Sequence, residues 1–88
     1  MPAELSKKET DIIDEVRSLL APLPDLPLSK LASRAGTHAS ALCRWQHRQV
    51  SLRPAIQRTV RAIVRAEFAR YAASVAQLAA RHGIEAGA

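Results

Sequence analysis

An all-α fold of four to five helices, with a central helix-turn-helix and a long C-terminal helix, is predicted from three features of the 88-residue sequence. Apolar residues recur at spacings of three and four. No segment alternates apolar and polar residues as a half-buried strand would. Prolines and glycines fall between the periodic segments or in a helical first turn. With 48% apolar and 24% charged residues the chain has material for one compact domain, residues 1–88, and for no second.

The first helix is expected from Lys7 to about Ala21. Ser6-Lys7-Lys8-Glu9 has the form of a capping box, in which the serine oxygen takes the third helical N–H and the glutamate reaches back to the cap. Ile12, Ile13, Val16, Leu19 and Leu20 then form one apolar face. Pro22, Pro24 and Pro27 forbid continuation and stiffen the connection, with Leu23 and Leu26 free to tuck against the core. A short helix follows over 28–35, ended by Gly36, whose missing Cβ suits the positive φ of a tight turn. Thr37 or His38 starts the next helix, with Thr37 the better capping type, and that helix runs to about Arg48, burying Leu42 and Trp45. Ser51 is the expected N-cap of a last helix over about 52–82, with Pro54 tolerated in its first turn. Gly83 closes it, and Ile84 is placed to pack back.

Charge is unevenly distributed. The net charge is +5, but residues 1–27 carry −3 and residues 28–88 carry +8, so the basic surface belongs to the last two-thirds and favours a polyanionic partner. A single cysteine, Cys43, excludes an intrachain disulfide and gives no reason to invoke an oxidising compartment, so a cytoplasmic location is expected. No apolar run is long enough to span a bilayer, and the first residues lack the apolar core of a cleaved leader.

Ala32, Gly36, Leu42 and Trp45 carry the functional signal. A small residue four before the glycine lets two helices touch, and the apolar pair six and nine after it fixes the second helix on the first. The stretch Leu31-Ala32-Ser33-Arg34-Ala35-Gly36-Thr37-His38-Ala39-Ser40-Ala41-Leu42-Cys43-Arg44-Trp45 resembles the lambda-repressor-like, Cro-type helix-turn-helix family. Its Arg-Trp pair and following basic segment look like the phage lambda CII type of regulator. The resemblance covers about residues 28–63. Thr37 departs from the aliphatic residue usual after the glycine.

That resemblance implies a bacterial, phage or plasmid regulator of transcription whose second motif helix lies in the major groove of double-stranded DNA. Ala39, Ser40, Arg44 and His47 fall on base-reading positions, with His38 and Cys43 flanking them. Arg44 is the strongest candidate, because a guanidinium donates two hydrogen bonds to guanine O6 and N7. Ser29, Lys30, Thr37, Arg48 and Arg53 lie where phosphate contacts would set orientation. Trp45 is expected in the core. Cys43, His47 and His38 could be drawn as metal ligands, but a fourth is lacking, and no metal, other cofactor or small-molecule ligand is expected.

The last helix is longer than a DNA-binding head needs. Leu52, Ile56, Val60 and Ile63 make one apolar face suited to closing the core. Val64, Phe68, Tyr71, Val75 and Leu78 follow at spacings of four, three, four and three, a coiled-coil-like seam expected to hold a homodimer on an inverted-repeat operator. A bend near Ala66 to Ala69, folding the helix back on its own core, is the competing arrangement. Arg58, Arg61 and Arg65 share one side, as phosphate contacts or a solvated face. A repressor is the leading expectation, with a phage-type activator or an antitoxin-like protein-interaction adaptor as alternatives. No glycine-rich phosphate loop, paired catalytic carboxylates or nucleophile with its base points to an enzyme.

Overall fold

A computed structural model describes residues 4–23 and 25–84. Pro24, one of the three prolines expected to stiffen the first connection, lies outside the described residues. The described residues form four helices and no strand: α1 Lys7–Leu20, α2 Leu28–Ala35, α3 Ala39–Gln46 and α4 Pro54–Arg81. None is long and apolar enough to cross a membrane.

The start of α1 follows half of the expected capping box. Ser6 Oγ accepts from the Glu9 N–H at 3.1 Å, satisfying one of the donors that a helix start leaves without an intrahelical partner. Glu9 does not return to Ser6. Its side chain turns inward and is only 8% exposed. Oε2 accepts from Trp45 Nε1 at 3.0 Å and from the Leu52 N–H at 3.2 Å, and the Ser51 hydroxyl donates to both carboxylate oxygens at 2.9 Å. Ser51 is therefore a ligand of Glu9 and not the N-cap of α4. Residue Arg53 holds that place, without a side-chain cap, and Pro54 occupies the first turn. Gln57, also buried, donates from Nε2 to the Leu52 carbonyl at 2.7 Å. Both backbone groups of Leu52 are thus tied, which fixes the link between α3 and α4.

The core lies where all four helices meet. Ile13 and Val16 from α1, Leu31 from α2, Leu42 and Trp45 from α3, and Val60 and Val64 from α4 are fully enclosed. Each contributes about 1.5–3 kcal/mol by leaving water. Val64, expected at the start of a dimer seam, belongs to this core. Leu52, Ile56 and Ile63 pack around it as half-buried neighbours.

Gly36 ends α2 at φ 78, with the Gly36 N–H bonded to Ser33 and the Thr37 N–H to Ala32. These two bonds close the helix end in the Schellman arrangement. A Cβ at Gly36 would meet nothing within 4 Å, so its requirement is conformational. Helix α3 starts two residues later than Thr37: His38 is its N-cap, with no side-chain cap bond. It also ends earlier than expected, at Gln46. The same closure is repeated there, Arg48 N–H to Trp45 and Gln49 N–H to Arg44, but the left-handed residue is Arg48, at φ 60. A non-glycine residue in that region costs about 1–2 kcal/mol. Its compensation is visible: Arg48 Nη2 pairs with Asp14 Oδ1 at 2.6 Å across to α1. An exposed pair of this kind contributes only about 0–1 kcal/mol. Arg48→Gly should therefore leave stability unchanged or raise it by up to about 1 kcal/mol, whereas Arg48→Ala keeps the strain and loses the pair. Thermal melts of the two variants should move apart, with glycine the more stable.

Helix α4 runs unbroken for 28 residues, so the fold-back near Ala66 to Ala69 is absent. Its first half closes the core. From Ala69 to Ile84 every residue is exposed except the half-buried Ala79, and the molecule is drawn out to 49 × 25 × 20 Å. Gly83, at φ 69, ends the helix, and the Ile84 N–H returns to the Ala79 carbonyl at 2.8 Å. The Ile84 N–H thus closes the helix end, but its side chain does not pack back as expected: it remains 64% exposed.

Candidate nucleic-acid interface

Helix α3 is amphipathic in a way that leaves one face clear. Leu42 and Trp45 point into the core, and the indole N–H is anchored on Glu9. Ser40, Arg44 and His47, spaced four and three apart, are all exposed on the opposite side. Cys43 is half-buried at the edge of this face, and His38 is exposed at the helix start. Ala39 differs from its expected role, being half-buried and packed against the core. Arg44 Nε lies 3.4 Å from the Ser40 carbonyl on its own helix, and no carboxylate pairs with it among the described residues.

The residues expected at phosphates divide into two groups. Ser29 and Lys30 at the start of α2, and Arg53 before α4, are exposed; Thr37 is half-buried. Arg48 is exposed but tied to Asp14, so it reaches a phosphate only by exchanging one anion for another. Arg17, exposed on α1, approaches the end of α3, with Nη1 3.4 Å from the Gln46 carbonyl. A cation there complements the negative end of the helix dipole.

The acidic residues of α1 and α4 hold most of the remaining arginines. Glu15 pairs with Arg65 and, at 3.6 Å, with Arg61. Glu67 pairs with Arg34 at 3.1 Å and with Arg70 at 3.4 Å. Arg61 and Arg65 are therefore interhelical ties between α1 and α4; Arg58 is exposed and has no carboxylate partner among the described residues. The hydrogen bond from Arg65 holds the Glu15 carboxyl below the ordinary carboxylate value, against the upward push of partial burial. A depressed carboxylate stabilises the fold above its unfolded pKa, and that contribution disappears as pH falls through the folded value. Glu15→Gln should accordingly flatten the acid limb of a pH–stability profile, by less than about 1 kcal/mol because the pair is exposed.

No three of the His, Cys, Asp and Glu side chains among the described residues converge as metal ligands. What the geometry provides is a class of surface: a rigidly anchored helix on an all-helical head, with a clear polar and basic outer face. The chain matches no protein-family model, no curated protein and no solved structure.

Proposed function

We propose that this chain is a sequence-specific double-stranded DNA-binding regulator that reads the major groove with α3 and acts as a homodimer, most simply as a repressor occluding a promoter. One observation carries the reading: the exposed line Ser40, Arg44, His47, on a helix whose inner side is fixed by Leu42, by Trp45 and by the Trp45–Glu9 bond. A base-reading helix must be held rigidly, because a bidentate contact tolerates little displacement. In this reading α2 and α3 form the helix-turn-helix, Arg44 addresses guanine, and Ser40 and His47 address neighbouring base edges. His38 and Cys43 flank them. Lys30, Arg53 and Ser29 neutralise or bond phosphates. The charge distribution supports this, since α1 acids engage Arg48, Arg61 and Arg65 while Lys30, Arg44 and Arg53 have no carboxylate partner among the described residues.

The test is selection of bound duplexes from a random-sequence pool, followed by titration of the selected operator. Arg44→Ala should lose about 10- to 100-fold in operator affinity, the equivalent of roughly 1–3 kcal/mol, with little change in affinity for unrelated DNA. An enriched inverted repeat is expected, and binding should weaken steeply with salt as counterions are released. A pool without enrichment, or an Arg44→Ala variant with full activity, would favour a protein-interaction adaptor instead.

A further inference from the structure

We propose that two copies of this chain pair antiparallel along the distal half of α4, each seating the end of that helix in the groove beneath the α1–α2 connection of the other. The inference rests on reading a second copy as the occupant of the exposed α4 face, and it specifies how that copy lies.

The apolar line Val60, Val64, Phe68, Tyr71, Val75, Leu78 runs straight along one side of α4. Its first part faces the molecule's own core: Val60 and Val64 are fully enclosed and Phe68 is half-buried. The line then continues uncovered, with Tyr71, Val75 and Leu78 at 36%, 42% and 55% exposure. An isolated helical segment of this length is marginal in water, and an apolar line on it requires a cover. His82 continues the spacing four residues after Leu78.

Collinearity decides the direction. Helix α1 lies beside α4 at the level of Arg61 and Arg65, through Glu15, and the connection after α1 reaches the level of Tyr71 and Ser74, through Leu23 and Leu26. A parallel partner helix laid on Tyr71, Val75 and Leu78 would continue straight into the space that α1 and α2 already fill. An antiparallel partner helix ends, at Arg81 and the Gly83 closure, as it comes level with the head.

The register follows from the part that is uncovered. Tyr71 meets the partner's His82, and Val75 meets the partner's Leu78, in two symmetric pairs each. Sliding one heptad further would place the partner's Leu78 on Phe68, which the head already half covers. In the chosen register the partner's Arg81, His82 and Ile84 reach a groove of about 350 Å³ lined by Leu23, Asp25, Leu26, Glu67, Arg70 and Tyr71. The apolar side chain of Ile84 finds Leu23 and Leu26, and the guanidinium of Arg81 finds Asp25, which has no cation partner among the described residues, whereas Glu67 is already held by Arg34 and Arg70. The two Val64 positions, each inside its own head, then lie 25 residues apart along the paired helices, about 37 Å at ~1.5 Å per residue.

The test uses Tyr71→Cys and His82→Cys, each in a Cys43→Ser background and carrying tags of different size, oxidised singly and mixed. In the antiparallel register each cysteine lies about 16 Å along the axis from its own counterpart, beyond the roughly 7 Å between Cα atoms that a disulfide spans. Only the mixture should give a covalent dimer. Disulfides within either single variant would overturn the proposal in favour of a parallel pair. A sedimenting dimer that forms no disulfide in the mixture would overturn the register. A monomer in sedimentation of the reduced parent chain would remove the homodimer itself while leaving the DNA-reading face of α3 to its own test.

Discussion

Glu9→Ala should cost the fold about 3–5 kcal/mol, more than any single change on the surface of the chain. Three donors converge on this one buried carboxylate: the Trp45 indole N–H, the Ser51 hydroxyl and the Leu52 N–H. A buried donor left without its partner costs about 1–3 kcal/mol, in full at the enclosed Trp45 and in part at the exposed Ser51 and half-buried Leu52. Trp45 is fully enclosed with Glu9 in place, so its indole N–H has no acceptor other than the carboxylate that the substitution removes. Domains of this size hold only about 5–15 kcal/mol in total. At roughly 4–8 °C per kcal/mol, a fall of at least about 12 °C in the melting temperature is expected in calorimetry. Glu9→Gln keeps the shape and one acceptor oxygen but offers an N–H₂ where donors already stand, so it should fall between alanine and the parent. A Glu9→Ala protein melting within a few degrees of the parent would show that the three contacts carry little weight. The functional consequence follows from Trp45: loosening its anchor frees α3, so operator affinity should fall in proportion to the lost order even where the head remains folded.

Glu9 also shows where sequence reading succeeds and where it stops. Ser6 with Glu9 three residues on announces a helix start, and the helix does start there. Local pattern alone also sends the glutamate back to the cap. The contrary signal was present in the same pattern, since Glu9 stands on the apolar line of Ile12, Ile13 and Val16, where an acid is buried and must find donors. Those donors lie 36 to 43 residues away, and no periodicity names them. Ser51 departs from its expected capping role for the same reason: a serine before a proline-containing first turn has the chemistry of a cap, but a long-range carboxylate competes for its hydroxyl.

Gly36 and Arg48 make a matched pair. Both occupy the left-handed position of the same closure, at φ 78 and φ 60. The first was legible because glycine is the usual occupant. The second was not, because an arginine there is tolerated only through its surroundings, among them the Asp14 ion pair. That pair also separates Arg48 from Lys30 and Arg53, which the sequence had grouped together as phosphate contacts. On the face of α3, helical spacing alone was sufficient: Leu42 and Trp45 inward require Ser40, Arg44 and His47 outward. Ala39 lies between the two sides, and the core takes it.

The double variant Val75→Glu, Leu78→Glu should abolish the dimer and reduce operator affinity by about 10²–10⁴-fold, the range in which two linked binding events exceed one. Both residues are exposed on the distal half of α4, beyond the enclosed core, so the head should melt at its usual temperature. Phe68 is a poorer probe, because it is half-buried at the edge of the head and a glutamate there would confuse folding with association. Val64 is poorer still, being fully enclosed in the core. The apolar periodicity runs through Val64 and Phe68 without interruption, which is why spacing alone placed both in the seam. A helix that covers its own core and then continues along the same line has no break in its sequence where its exposed part begins; only the length of α1 and its connection sets that point, near Tyr71. A control on the opposite side, Ala73→Glu, should leave both sedimentation and DNA affinity unchanged. If the double variant still sediments as a dimer, association runs through another surface, and the exposed seam needs a different occupant. If it is monomeric yet binds the operator with full affinity, each head reads its site independently, and the inverted repeat is no longer required.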